Sequence, residues 1–226
     1  MKKIFALTLA LLANLSHADD EAIQANLTKL GAQNIEISAS PIDGLKTVVS
    51  DQGVIYASPD GKYFLQGSLF EMGANGTPKD ISIKPLLGKI DALKDEMVIY
   101  PAAEEKHVIT VFFDTTCHFC QLLHKDVPEL NKKGITVRYL AFPRSGVNSK
   151  SARQMETIFS AEDKQKAMNE AEGGSELAET RVDKVRKHYQ LGLQLGVTGT
   201  PAVFTSEGEL IGGYLKPDQM LKALQP

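Results

Sequence analysis

The chain contains very little cysteine: Cys117 and Cys120 are its only residues of this type among 226. Small exported domains that depend on disulfides carry several bridges, so the sequence excludes a disulfide framework. A bridge across so short a spacing would also constrain the unfolded chain very little, because closure entropy rises with loop length. We therefore interpret the pair as a reactive dithiol.

Long hydrophobic runs and an excess of positive charge are also absent. The apolar run from Ile4 to Leu12 is far shorter than the roughly 20 residues that a membrane-spanning helix needs. The formal net charge of −3 offers no basic surface for nucleic acid. Lys2 and Lys3 precede the apolar run, and small residues stand near Ala18. We predict that residues 1–18 form a signal peptide cleaved after Ala18 and that the mature protein is exported.

The following sequence predicts a small first domain and a connecting helix. Ile23, Leu27 and Leu30 fall at helical spacing, and short β-rich runs separated by turns follow them. Residues 19–79 are therefore expected to form an α+β domain, which buries little core alone and would gain stability from pairing with a second copy. The amphipathic pattern over 80–99 predicts a linker helix.

The pattern of residues 100–226 is typical of an α/β domain. A nearly continuous apolar run predicts a buried strand before the dithiol, and a helix and a second strand follow it, the order of a parallel crossover. Pro128 is expected to kink the intervening helix. The predicted elements are strands over 107–113 and 135–142, helices over 121–133, 149–172, 182–195 and 219–224, and a hairpin over 202–211. The two charged helices form a helical insert at about residues 145–195.

Cys117 is predicted to stand where the buried strand ends and a helix begins. The free N–H groups and the positive dipole of a helix start stabilise a thiolate there. Cys120 lies one turn further and deeper, so Cys117 is the expected nucleophile and Cys120 the resolving thiol. His118 is either a cation that stabilises the Cys117 thiolate or an exposed polar residue with no role in the chemistry. The only redox group we expect is the disulfide that Cys117 and Cys120 form.

Metal-containing alternatives fit the Cys-x-x-Cys pattern less well. A c-type haem site requires histidine directly after the second cysteine, where this chain has Gln121. A zinc site needs four ligands. His124 could be a third, with His107 or His188 as a fourth, but the chain has no second cysteine pair. We therefore predict neither a metal nor another cofactor.

A second motif, Gly199-Thr200-Pro201-Ala202, stands before a late strand. In thioredoxin-type domains such a Thr-Pro bond is typically cis, and its loop faces the dithiol. Because proline has no N–H, the neighbouring backbone is free to pair with an extended substrate segment. We predict that Thr200 and Pro201 bind substrate.

Together these residues resemble a known family. Thr116 to Cys120, Gly134 to Arg144 and Gly199 to Val203 look like the DsbC family of bacterial thiol:disulfide interchange proteins, and the similarity continues over the mature chain. The resemblance implies an isomerase and reductase of wrong disulfides in exported proteins, with chaperone activity. It also implies a V-shaped periplasmic homodimer, joined through its N-terminal domains and kept reduced by the inner-membrane donor DsbD.

Three departures from related sequences stand out. His118-Phe119 replaces the Gly-Tyr common in the family, so both residues are expected to modulate the dithiol. Ser160 stands where some members have a cysteine of a second pair, so the insert is expected to hold by packing alone. Thioredoxins have a buried acid six residues before the first cysteine, where this chain has Val111. That leaves the proton acceptor for Cys120 unassigned.

Two other functions stay open at this point. One is a net oxidase or a dedicated reductase of the same fold, which the redox potential and the redox state in the cell would distinguish. The other is a non-catalytic periplasmic holdase, for which replacing both cysteines by serine would cost nothing.

Overall fold

The computed structural model describes residues 20–74, 76–172 and 181–225. The predicted signal peptide, residues 1–18, lies outside the described residues, as does part of the predicted insert. The chain divides into two compact units, with the boundary after Leu69. In the described ranges, no helix is long and apolar enough to cross a membrane.

The first unit packs one helix against a small antiparallel sheet. Helix α1 covers residues 20–29. The strands pair in chain order and are β1 (Glu36–Ala39), β2 (Lys46–Ser50), β3 (Gly53–Ala57) and β4 (Phe64–Leu65). Ile23 and Leu27 are buried in the core with Val48. Leu30 was expected on the same helix face, but α1 ends before it and its side chain is 68% exposed in the turn.

The second unit has a five-stranded sheet with the order β11-β10-β8-β9-β7. Its strands are β7 (Val98–Tyr100), β8 (His107–Phe113), β9 (Ile135–Ala141), β10 (Ala202–Thr205) and β11 (Leu210–Gly212), and a separate hairpin is formed by β5 (Phe70–Met72) and β6 (Pro78–Asp80). Strands β8 and β9 are parallel, and the other neighbours are antiparallel. The strand–helix–strand crossover predicted around the dithiol is therefore confirmed.

Seven helices of the described residues belong to this unit. They are α2 (Leu87–Ala92), α3 (His118–Lys125), α4 (Val127–Lys132), α5 (Lys150–Ser160), α6 (Lys164–Glu172), α7 (Lys184–Gln194) and α8 (Pro217–Ala223). Both faces of the sheet contribute buried side chains, so the central strands lie between two layers of helices and connecting loops.

The linker helix predicted over residues 80–99 is shorter and interrupted. Short 3₁₀ turns at Lys84–Leu86 and Lys94–Glu96 flank α2. Pro85 stands in the first turn, where its missing N–H costs no helical hydrogen bond. After Met97 the chain becomes extended and β7 pairs with β9, which buries Val98 completely. The short apolar run at this position fits the residue spacing of a helix as well as that of a strand, so the sequence did not predict β7.

Two more predicted helices are divided. The helix expected over 121–133 with a kink is instead α3 followed by α4, and the break falls at Asp126. Pro128 lacks the N–H that would continue the hydrogen-bond pattern of α3, so a new helix begins in the turn before it. The helix expected over 149–172 is interrupted between Ser160 and Lys164, which separates α5 from α6.

Candidate active site

Cys117 occupies the N-cap position of α3, four residues after the last residue of the central strand β8. Its backbone is extended, with φ −89° and ψ 118°. Its N–H donates to the carbonyl of Asp114 at 3.0 Å, which closes the turn between strand and helix. Helix α3 begins at His118, whereas the sequence predicted its start at residue 121. The Cys117 sulfur therefore stands at the start of the helix.

The structure brings the dithiol and the Thr-Pro loop together. Cys117 is 3% exposed and Cys120 is fully buried, and both are free thiols that contact each other. The Cys117 thiol donates to the backbone carbonyl of Thr200 at 3.1 Å. The Thr200–Pro201 peptide bond is cis, and β10 begins directly after it beside β8. We call these four residues the dithiol site.

The two thiols have opposite pKa shifts. Burial raises the pKa of Cys117, but hydrogen bonds from the Thr200 side chain and from the N–H and thiol of Cys120, together with the positive charge of Arg144, outweigh burial, so the pKa falls below its ordinary value. At Cys120 burial dominates and raises the pKa far above its ordinary value. Cys117 therefore ionises first, which is what an attacking thiol requires.

His118 and Phe119 form an aromatic edge next to Cys117. Phe119 is 55% exposed, and its ring stacks with that of Tyr214 at 6.4 Å between centroids. The exposed His118 ring packs edge-on against Phe119 at 5.6 Å. The Tyr214 hydroxyl donates to the Asp126 carboxylate at 2.8 Å, which holds this ring in place. Sequence reasoning missed Tyr214 because no motif connects it to the dithiol.

A buried acid, Asp114, lies under the turn that leads to Cys117. Its carboxylate accepts hydrogen bonds from the N–H and the hydroxyl of Thr116, both at 2.8 Å. It also accepts the N–H of Arg144 at 2.8 Å and the guanidinium Nε at 3.3 Å. Asp114 stands three residues before Cys117, not six residues before it, where thioredoxins have their acid. An aspartate at a buried strand end followed by two threonines is the turn signal that could have found it.

The three histidines considered as zinc ligands lie in separate surroundings. The His124 ring bonds Asn169 at 3.0 Å, and buried His188 accepts the N–H of Ala141 at 3.3 Å. His107 is the first residue of β8. Among the described residues, no group of three or more His, Cys, Asp or Glu could hold a metal ion.

A dithiol at a helix start after a central strand, faced by a cis-proline loop, defines a thioredoxin-like thiol–disulfide oxidoreductase. The family models agree: a thioredoxin-like domain matches residues 93–226, and the disulfide bond isomerase protein N-terminal domain matches residues 14–82. The chain belongs to the DsbC family of thiol:disulfide interchange proteins and is a disulfide isomerase and reductase.

Curated relatives cover the whole chain. The thiol:disulfide interchange protein DsbC of Haemophilus influenzae is 53% identical over 226 residues, which covers 100% of this chain and 98% of the relative. DsbC of Escherichia coli K12 is 44% identical over 227 residues, covering 99% and 96%. The predicted fold class, enzyme class and family are thereby confirmed.

Proposed function

We propose that Cys117 and Cys120 carry out the interchange reaction and that isomerisation is its main outcome. The observation that carries this proposal is the pairing of a low-pKa thiol facing the Thr200 carbonyl with a buried thiol of high pKa. The Cys117 thiolate attacks one sulfur of a wrong client disulfide. A mixed disulfide forms, and the other client sulfur leaves as a thiolate.

The fate of the mixed disulfide decides between isomerisation and reduction. The released client thiolate can attack another client disulfide, which frees a different client thiolate. That thiolate finally attacks the client sulfur of the mixed disulfide, so a new client disulfide forms and the Cys117 thiolate leaves. Alternatively, Cys120 loses its proton and attacks Cys117, which releases a reduced client and leaves a Cys117–Cys120 disulfide. Because the pKa of Cys120 is high, the second route is slow, and the client has time to rearrange.

The cis-proline loop is proposed to bind the client segment. Pro201 offers no N–H, so the neighbouring backbone can pair with an extended client strand next to Cys117. The exposed Phe119 ring supplies apolar surface beside the attacked bond. His118 is proposed to modulate the same edge.

A homodimer is proposed to form through the first unit. Strand β4 is one edge of its sheet. Leu65 on this strand is 58% exposed, and Tyr63 just before it is 75% exposed. A second copy would cover this apolar edge. We expect the mature protein to sediment as a dimer at micromolar concentration and the Leu65→Lys variant to sediment as a monomer. A monomeric wild type would contradict the proposal.

The periplasm is the proposed compartment, reached through a signal peptide cleaved after Ala18. Mass spectrometry of the exported protein should find Asp19 as its first residue. There a membrane donor of the DsbD type would return the Cys117–Cys120 disulfide to the dithiol. Chaperone activity is proposed as a second property, and suppression of aggregation of a cysteine-free client would measure it in the protein and in its double serine variant.

Refolding of a scrambled multi-disulfide protein tests the central proposal. Cys117→Ser should lose the catalysed rate entirely, whereas Cys120→Ser should keep part of the isomerisation and accumulate mixed disulfides. A wild-type rate from Cys117→Ser would refute the mechanism. A largely oxidised pair in the cell would favour the oxidase alternative, and full function of the double serine variant would favour the holdase.

A further inference from the structure

The buried Asp114 connects the dithiol to a cation from another strand. Its side chain is 1% exposed, and both carboxylate oxygens are occupied: one by Thr116 and the other by Arg144. Its backbone contacts both cysteines, because its carbonyl accepts the Cys117 N–H and its N–H points to the Cys120 sulfur. A residue with this many contacts fixes the geometry of the whole turn.

Arg144 follows β9, so its sequence position alone does not place it at the dithiol. Its Nε bonds Asp114 at 3.3 Å, and its Nη2 donates to the Thr116 hydroxyl at 3.2 Å, one residue before Cys117. The side chain is 44% exposed, so without these bonds it would be free to turn into solvent. The planar, permanently charged guanidinium suits this two-point attachment better than a lysine ammonium would.

We propose that Arg144 is the cation that stabilises the Cys117 thiolate and that Asp114 is the positioning residue that holds it there. The inference deepens the proposed function and rests on Cys117 as the attacking thiol. The sequence suggested His118 as a cation that could stabilise the thiolate. The inference assigns this role to the Asp114–Arg144 pair instead. The pair would also keep Cys117 reactive while the client is bound, since it lies beside β9 and not in the cis-proline loop.

The groups that act on Cys117 come from three elements. Cys120 belongs to its own helix, Arg144 to the segment after β9, and Thr200 to the cis-proline loop, which contributes an uncharged contact. Asp114, at the end of β8, is the acid next to them. His118 is exposed and packs against Phe119. Arg144 is therefore the permanent positive charge to remove first.

The test follows the rate of Cys117 alkylation by iodoacetamide against pH, in full-length reduced protein. Arg144→Gln should raise the midpoint by about 0.3–0.5 pH unit, which lowers the rate about two- to threefold below the midpoint. Arg144→Lys should restore part of this shift. Arg186→Gln, which removes an exposed arginine from α7, should leave the midpoint unchanged and is the matched control.

Asp114→Asn distinguishes positioning from a direct charge effect. Asparagine can still accept from Thr116 but cannot form the ion pair, so the midpoint should rise, by less than in Arg144→Gln. In the Arg144→Gln background the same change should raise it no further, because no guanidinium is left to position. A direct effect of the aspartate charge would instead lower the midpoint in both backgrounds.

Three results would overturn the inference: no shift in Arg144→Gln, a lowered or unchanged midpoint in Asp114→Asn, or a further rise in the double variant. Circular dichroism and thermal unfolding check that each variant is folded. If Asp114→Asn does not fold, the Gln and Lys variants of Arg144 still decide the identity of the cation. Failure of the proposed function would show separately, as wild-type refolding activity in Cys117→Ser, even where the alkylation midpoint of Arg144→Gln is raised.

Discussion

Two regions of the second unit bury polar groups in contrasting ways. Beside the dithiol site, the buried hydroxyl of Thr115 lacks a hydrogen-bond partner in the described structure. In the insert, the buried Glu156 carboxylate accepts four hydrogen bonds of 2.8–3.1 Å, from three backbone N–H groups and one hydroxyl. A satisfied group stabilises the fold, whereas an incompletely satisfied one leaves room for a change of charge or partner.

The Glu156 cluster corrects one expectation. Because Ser160 stands where some relatives have a cysteine, the insert was expected to hold by packing alone. Instead Glu156 on α5 accepts the N–H groups of Asp183, Lys184 and Val185 at the start of α7, and Ser160 donates to the same carboxylate. A carboxylate at a helix start satisfies N–H groups that have no partner within the helix. We call this cluster the insert clamp.

The largest expected contrast within the dithiol site is one of reactivity. At neutral pH, iodoacetamide should alkylate Cys117 at least about a hundredfold faster than Cys120, since the first has a lowered pKa and the second a strongly raised one. Peptide mass spectrometry after timed labelling measures the ratio. Cys120→Ser should label at nearly the wild-type rate, and comparable labelling of both cysteines would contradict the assignment.

The insert clamp should show the opposite behaviour, with a large effect on stability and little on chemistry. Glu156→Ala leaves three N–H groups without a partner, one of them buried and two partly buried, and should cost about 3–4 kcal/mol of unfolding free energy. Glu156→Gln keeps one acceptor oxygen and should cost less. Urea unfolding measures both losses, and Cys117 alkylation in folded protein should be unchanged. A loss under 1 kcal/mol in the alanine variant would show that packing does hold the insert.

A buried histidine joins α7 of the insert to the central sheet and should make stability depend on pH. His188 accepts the Ala141 N–H, and its Nε2 lies 3.6 Å from Glu96. Burial lowers its pKa to about 4, which outweighs the opposing effect of Glu96. The unfolded state, with an ordinary pKa near 6.5, therefore binds more protons between these values.

Stability should thus fall by up to about 3 kcal/mol as the pH drops from 6.5 to 4. Chemical unfolding at several pH values measures this slope. His188→Asn can still accept the Ala141 N–H but does not titrate. Its unfolding free energy should therefore fall by about 3 kcal/mol less over the same pH range. Equal slopes in the two proteins would mean that other groups cause the acid sensitivity.

The smallest expected effect belongs to the residue that replaces a cysteine. Ser160→Ala removes one of four donors to Glu156 and should cost about 1 kcal/mol. Urea unfolding of Ser160→Ala and Glu156→Ala under the same conditions compares their losses of unfolding free energy. A loss as large as that of the glutamate variant would assign the clamp to the hydroxyl rather than to the backbone N–H groups.

Much of the architecture around the dithiol was predictable because it depends on local pattern. The continuous apolar run predicts the buried strand β8, and the strand–helix–strand order of the elements predicts the parallel crossover to β9. Element ends were less predictable: α3 and α4 divide at Asp126, and β7 takes residues expected in a helix. Ends depend on which backbone groups find partners elsewhere in the fold, and a local pattern does not contain that information.

By itself, the sequence determined the reactive pair, its order along the chain and the motif before β10. It did so because cysteine chemistry and helix position are properties of a few adjacent residues. Only the tertiary structure decided which groups surround Cys117. Asp114 follows β8 and Arg144 follows β9, and the two residues meet beside Cys117; the insert clamp forms between helices α5 and α7. Charge and burial act through space, so contacts between distant residues set the reactivity of the dithiol.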